Sequence, residues 1–184
     1  MTPTEFLKQE HRSIEEMLKV MEAVCQKLES GEQINTDDLK DIVEFIKEFA
    51  DKAHHGKEED LLFTAMVDAG IPKEGGPVAV MLMEHDMGRN YVKGMSEAIE
   101  EYDNGNTDAS ARIIENARNY ASLLSNHIYK EDNILYPMAD NHLTEDKQNE
   151  LLKEFDAVQN EKIGVDTYTK LLDNLKELKG KYLS

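Results

Sequence analysis

Two segments of the chain share a pattern of histidine and glutamate that could bind a metal ion. One segment reads HHGKEEDLLF and the other reads HIYKEDNILY. When they are aligned without a gap, His54 matches His127 and Glu58 matches Glu131, so each histidine is followed four positions later by a glutamate. Residues four apart lie on one face of a helix, one turn from each other. The repeat therefore predicts an imidazole and a carboxylate side by side on each of two helices.

Two further histidines, His11 and His85, also lie on apolar helix faces, because they follow Leu7 and Met81 by four residues. A single inward histidine is more often a hydrogen-bonded core residue than a ligand. Here, however, four predicted helices each turn a histidine inward and two add a carboxylate, and buried unpaired carboxylates are costly. Mixed imidazole and carboxylate ligands suit iron, manganese or zinc. The pattern thus predicts a metal site formed by His11, His54, Glu58, His85, His127 and Glu131.

The first segment contains a second pair with the same spacing, His55 and Glu59, which leaves its register open. Helical periodicity places this second pair on a polar face, and the alignment of the repeat also favours His54 and Glu58. Gly56 could let the helix twist locally, which would favour the other pair. We expect His54→Ala to reduce metal content far more than His55→Ala.

The elements that must position these residues are helices. Apolar residues recur at spacings of three and four along four long segments and two shorter ones, and no alternating run resembles a strand. Asn35 or Thr36 is the predicted start of the second helix, and Thr144 that of the first tail helix. We therefore predict an all-α single domain over 1–184, with an antiparallel up-down four-helix bundle over about 4–140 and two additional C-terminal helices over about 144–184.

Composition excludes several classes of protein. The chain has 184 residues, with 38 acidic and 21 basic side chains and a net charge of −17, which disfavours nucleic acid and anionic membranes as partners. It contains no apolar run of about 18 residues and no apolar secretory leader, so we expect a cytoplasmic protein. The single cysteine, Cys25, excludes an intrachain disulfide and any cysteine-rich metal site.

The motifs HHGKEEDLLF, MEHDMGRNYV and NHIYKEDNILYP, preceded by EHRSIEEML, resemble the hemerythrin-like, or HHE cation-binding, domain over roughly residues 5–140. The resemblance implies a four-helix bundle around a non-haem di-iron centre, with two carboxylates bridging the irons and histidines completing the coordination. Carried over to this chain, the terminal ligands are His11, His54, His85 and His127, and the bridging carboxylates are Glu58 and Glu131.

The chain departs from the oxygen-carrying members of that family at one position. Those members have two histidines four apart on the third helix, whereas here the residue four after His85 is Arg89. Arginine stays protonated and cannot ligate. We expect one ligand to be absent or replaced, with Glu15 the best substitute and Tyr91 and Tyr129 weaker ones, and this disfavours reversible oxygen carriage.

These observations predict a non-haem protein that holds two iron ions, or one if a ligand is absent. It would bind, sense or react with a small oxidant, which is dioxygen, peroxide or nitric oxide. The alternatives are an iron storage or trafficking protein without catalysis and a purely structural metal-binding bundle. The sequence leaves enzymatic turnover and any protein partner open.

Overall fold

The computed structural model describes residues 1–183, and all regular secondary structure within them is helical. Five helical runs follow one another, which we name α1 (Pro3–Glu29), α2 (36–68), α3 (Pro77–Asp103), α4 (110–142) and α5 (145–182). A short 3₁₀ turn, Thr107–Ala109, leads into α4. The predicted all-α class is confirmed. None of the helices within residues 1–183 is both long and apolar enough to cross a bilayer.

Side-chain caps fix where three of these helices begin. The Thr2 hydroxyl accepts a hydrogen bond from the Glu5 amide, and the Glu5 carboxylate accepts one from the Thr2 amide, which completes a capping box. Asn35 caps α2 and Thr144 caps α5 in the same general way, through their side-chain oxygens. Asn35 and Thr144 were both predicted as caps.

Helices α2 and α4 depart from regular α-helix where the repeat lies. Helix α2 contains the π-helical stretches Phe45–His55 and Glu58–Leu62, and α4 contains Glu131–Leu135. The last two stretches occupy aligned positions of the repeat, so the backbone conformation repeats along with the sequence. Hydrogen bonding from i to i+5 widens each turn, and each residue then advances by less than the roughly 100° of an α-helix. Neighbouring side chains can therefore face the same side.

The apolar core consists of two clusters with a polar layer between them. On α1, Leu7 belongs to one cluster and Ile14 to the other, and His11 lies between them. On α2, α3 and α4 the histidines and glutamates of the layer likewise lie between members of the two clusters, and the order of the clusters along the chain is reversed on α2 and α4. Helix α1 contacts α2 and α4, and α3 contacts α2 and α4, so all four helices border the polar layer.

The C-terminal tail is one helical run rather than the two separate helices predicted. Its arms, Glu145–Ala157 and Val165–Tyr182, are joined by the π-helical stretch Val158–Gly164. Gly164 has a φ of +88°, a conformation that glycine adopts without steric cost, and it marks the joint. The second arm packs on α1 and α2, so the tail covers one side of the helices that carry the polar layer.

Candidate metal centre

Seven buried side chains from α1 to α4 meet in the polar layer. They form two groups that share Glu58, and in each group the ligand atoms lie within 4.8 Å of one another. Six of the seven are the residues predicted from the sequence, and the seventh is His55. One group contains His55, Glu58, His85 and His127, and the other contains His11, His54, Glu58 and Glu131.

The placement of His55 on a polar face was wrong. Its side chain is 5% exposed, and its ring stacks on that of His85 with 3.8 Å between the ring centroids. The physical reason is the π-helical stretch Phe45–His55, whose wide turns keep Ala53, His54 and His55 all buried. The sequence left open whether His54 or His55 faces the site. Both imidazoles reach the cluster, so the two alternatives do not exclude each other.

None of the substitutes suggested for a fifth histidine belongs to either group. Glu15 is partly exposed and pairs with Arg12 at 3.0 Å. Tyr129 is 65% exposed, and Tyr91 packs against the apolar core. The fifth imidazole of the cluster is instead that of His55, which comes from α2 rather than α3.

The Nδ1 atom of each of the five imidazoles is hydrogen-bonded to a carboxylate. A carboxylate on one ring nitrogen fixes the tautomer and orientation of a histidine whose other nitrogen binds a metal. The Nε2 atoms are thereby left for the centre of the cluster. The Nδ1–oxygen distances are 2.7 Å for His11–Asp132, 2.9 Å for His54–Glu10, 3.2 Å for His55–Asp51, 2.7 Å for His85–Glu59 and 2.9 Å for His127–Glu84.

Four of these bonds link consecutive helices and close a ring around the cluster. Glu10 links α1 to α2, Glu59 links α2 to α3, Glu84 links α3 to α4, and Asp132 links α4 back to α1. Each of these acids stands directly beside a member of the cluster in the sequence, yet it holds a histidine of a neighbouring helix. That adjacency is the sequence signal that could have identified them.

Several buried polar atoms of the cluster have no hydrogen-bond partner among residues 1–183. They are Nε2 of His54, Oε2 of Glu58, and both carboxylate oxygens of Glu131. Buried polar atoms are almost always satisfied, and an unsatisfied carboxylate is especially costly. A bound cation would satisfy all of these atoms at once, so the donor set fits a metal ion in each group.

A family model described as the Hemerythrin HHE cation binding domain matches residues 2–139. The chain belongs to this family. The match covers α1 to most of α4, with all seven cluster residues, and it confirms the resemblance seen in the motifs. Comparison with curated proteins gave no match, and neither did comparison with solved structures.

In this hemerythrin-family chain, the lysines of the repeat bind the carboxylates that orient two histidines of the cluster. Lys57 binds Glu10, the acid that holds His54, and Lys130 binds Glu84, the acid that holds His127. Each repeat thus supplies a histidine of the cluster and a cation for the carboxylate that orients it. Burial would raise the pKa of Glu10, but its contacts with His54 and Lys57 lower it below the ordinary value. Glu10 therefore stays ionised as an acceptor.

The inner charges balance one another when no metal is bound. Burial would raise the pKa of Glu58, but the surrounding imidazoles, led by His54 and His85, lower it well below the ordinary value. Burial would lower the pKa of His11, yet its contacts with Asp132 and Glu131 raise it to about 9. Protonated imidazoles can therefore occupy the place of a cation.

Tyr136 is a site residue that the sequence reasoning missed. Its hydroxyl donates to Oε1 of Glu58 at 2.6 Å and lies 3.2 Å from Nε2 of His11. The side chain is fully buried, and burial followed by the charge of Glu58 raises its pKa well above the ordinary value. The sequence signal that could have identified it is that the first copy of the repeat has Phe63 where the second has Tyr136. The tyrosine adds one hydroxyl group, which lies at Glu58.

Proposed function

We propose that the chain binds two non-haem iron ions, one in each group, and that this pair binds, senses or reacts with dioxygen, peroxide or nitric oxide. The supporting observation is a set of buried, unsatisfied carboxylate and imidazole atoms in two groups that share Glu58. Imidazole and carboxylate ligands together suit iron. A carboxylate common to both groups is suited to bridging two ions.

Glu131 supports a second bridge between the groups. Its Oε2 lies 3.2 Å from Nε2 of His11, and its Oε1 lies 3.0 Å from Nε2 of His127, so one carboxylate spans both groups. Bound iron would supply redox chemistry. The protein's own part is to hold five imidazoles in fixed orientation, to exclude water with an apolar cluster on either side, and to place the Tyr136 proton beside Glu58.

The same proposal covers the architecture and setting of the site. We propose that α1 to α4 form an antiparallel up-down bundle and that residues 1–184 make one domain. The closed ring of imidazole–carboxylate bonds supports this, because it needs all four helices to be folded together. A cytoplasmic protein without nucleic-acid or membrane partners agrees with the charge of −17.

Metal analysis tests the first part of the proposal. Protein purified without added metal, or titrated anaerobically with ferrous iron, should hold about two iron ions per chain, as in other di-iron carboxylate bundles. Glu58→Ala should reduce the content of both ions, because Glu58 belongs to both groups. His142→Ala is the control, since His142 is exposed and bonds the Met138 carbonyl outside the cluster. Protein that takes up no ferrous iron would refute the proposal.

Rapid mixing of the ferrous protein with dioxygen, hydrogen peroxide or nitric oxide tests the second part. A new visible absorption band after mixing would support a reactive pair. Release of iron to a chelator without any such band would favour storage or trafficking. Tightly held metal that none of the three oxidants affects would favour a structural role.

A further inference from the structure

A cavity of about 350 Å³ reaches the cluster from the side of His55, His85 and His127. It lies among α2, α3 and α4, and the three imidazoles form part of its wall. The apolar part of its wall is lined by Ile46, Gly88, Val92, Tyr120, Leu123 and Leu124.

The volume of this cavity is much larger than a diatomic ligand needs. A single water requires only about 10–15 Å³ of such volume, and a diatomic molecule is of similar size. Pockets that bind small organic molecules start at roughly 300 Å³. The cavity therefore has the size of an organic ligand rather than that of dioxygen, nitric oxide or hydrogen peroxide.

Tyr120 places one unpaired polar group in the cavity. Its side chain is 3% exposed, and its hydroxyl takes part in none of the hydrogen bonds found among residues 1–183. Burial raises the pKa of Tyr120 above its ordinary value, so the group is a neutral phenol that can donate a hydrogen bond. A phenol hydroxyl at the wall of the cavity is available to donate to an acceptor atom of a ligand there.

The wall of the cavity carries three basic side chains and four acidic ones, which are Lys47, Arg89, Lys93, Asp51, Glu84, Glu97 and Glu100. The Arg89 guanidinium bonds Asp51 at 2.9 Å and Glu59 at 2.7 Å, and the Lys47 ammonium bonds the Ser96 hydroxyl at 3.1 Å. The basic and acidic side chains of the wall thus nearly balance in number, so the wall does not favour an anionic ligand. The cavity favours an uncharged molecule with an apolar body and one oxygen-bearing group.

We propose that this cavity binds a small organic hydroperoxide, with its apolar body against Val92 and Leu124, its O–O group toward the three imidazoles, and the Tyr120 hydroxyl donating to it. This inference rests on the proposed function, because the reaction needs the metal pair. Reduction breaks the O–O bond and yields an alcohol and water. A bound ferrous pair would supply the two electrons that this requires, each ion becoming ferric, and solvent would supply the two protons.

Binding is tested without turnover by titrating the metal-loaded protein with 2-phenylpropan-2-ol, the unreactive alcohol corresponding to cumene hydroperoxide, in a calorimeter. Tyr120→Phe should weaken binding by roughly 2- to 12-fold, the value of one hydrogen bond. Its matched control is Tyr129→Phe, because Tyr129 is 65% exposed. Binding that Tyr120→Phe leaves unchanged would overturn the role of the hydroxyl.

Filling the cavity provides a second variant. A Cβ at Gly88 would lie 3.4 Å from Cε2 of Tyr120, so the longer side chain of Gly88→Leu would enter the cavity and should abolish binding of the alcohol. Gly180→Leu is the control, since nothing lies within 4 Å of a Cβ there. If circular dichroism shows that Gly88→Leu is unfolded, Val92→Phe replaces it.

Single-turnover oxidation of the ferrous protein completes the test. The ratio of the rate with cumene hydroperoxide to the rate with hydrogen peroxide should fall at least about tenfold in Gly88→Leu, as expected for a blocked pocket. Iron-loaded protein that reacts with hydrogen peroxide but does not bind the alcohol would overturn only the cavity proposal. Protein that takes up no iron would overturn the proposed function itself.

Discussion

The adjacent histidines His54 and His55 have separate roles in this structure. His54 belongs to the group with His11, and His55 to the group with His85, although the two residues are neighbours in the sequence. A regular α-helix would turn their side chains about 100° apart, and the π-helical stretch reduces that angle. One pair of adjacent residues can thus serve two metal ions.

The expectation that His54→Ala is far more damaging than His55→Ala is therefore replaced. Each variant should lose about one of two bound irons, because each removes a ligand from a different group. Iron content per chain, measured after anaerobic loading and gel filtration, checks this, with His142→Ala as the control. Full iron content in His55→Ala would mean that this imidazole only packs against the site.

Tyr136 offers a second test at a single atom. Tyr136→Phe removes the hydroxyl that donates to Glu58 at 2.6 Å and keeps the ring. The variant should retain iron, because five imidazoles and two carboxylates remain. The visible spectrum of the oxidised protein should shift, since one oxygen of a shared ligand loses its donor. Tyr129→Phe, at an exposed tyrosine, should leave the spectrum unchanged. An identical spectrum in Tyr136→Phe would assign Tyr136 a packing role only.

The helices themselves were largely predictable from the sequence, but their irregularities were not. The apolar stripes, Asn35 and Thr144 indicated the helices and two of their starts, because periodicity and capping are local properties. The inward burial of His55 depends on π-helical turns, which no residue type in Phe45–His55 specifies. The joining of the tail through Gly164 depends on how the second arm packs on α1 and α2. Both are decided by tertiary contacts.

One residue of the tail hydrogen-bonds a carboxylate that orients a histidine of the cluster. The hydroxyl of Tyr168, in the second arm of α5, donates to Oε1 of Glu10 at 3.1 Å, and the other oxygen of Glu10 bonds His54. Tyr168 also packs on Phe49, with 5.1 Å between ring centroids. An element outside the matched family domain thus helps to hold a metal-site histidine.

Tyr168→Phe should therefore lower metal affinity modestly, by roughly 2- to 12-fold, the value of one hydrogen bond. Competition of the loaded protein against a chelator measures this change. Tyr182→Phe is a matched control on the same arm, because the Tyr182 hydroxyl bonds Asp38 rather than a residue of the ring. Equal losses in both variants would show a general effect of loosening the tail.

At the scale of the whole molecule, the acidic composition is partly explained by the site. Among the 38 acidic side chains, Glu58 and Glu131 lie inside the cluster, and five others orient its imidazoles. Such a concentration of carboxylates requires cations. Without metal, protons on His11 and His127 can supply the positive charge, because both pKa values are raised. Metal and protons therefore compete for the same place.

This competition predicts that the stability of the metal-free form depends on pH more strongly than that of the metal-bound form. Burial would lower the pKa of His127, but Glu131 and Glu84 raise it from 6.5 to about 10, and that of His11 is raised from 6.5 to about 9. A raised pKa stabilises the fold fully below the unfolded value and loses that contribution as pH rises through the folded value. The metal-free protein should therefore lose thermal stability between about pH 6.5 and 10.

The metal-bound protein should lose little stability over the same interval, because a ligated imidazole is already neutral and the ion keeps the carboxylates compensated. The difference in melting temperature between the two forms should widen steadily from pH 7 to pH 10. Circular dichroism melts of chelator-stripped and reloaded protein measure this difference, and metal binding at pH 7 in weak buffer should release protons. A constant difference in melting temperature, with no proton release, would mean that His11 and His127 are already neutral in the metal-free protein.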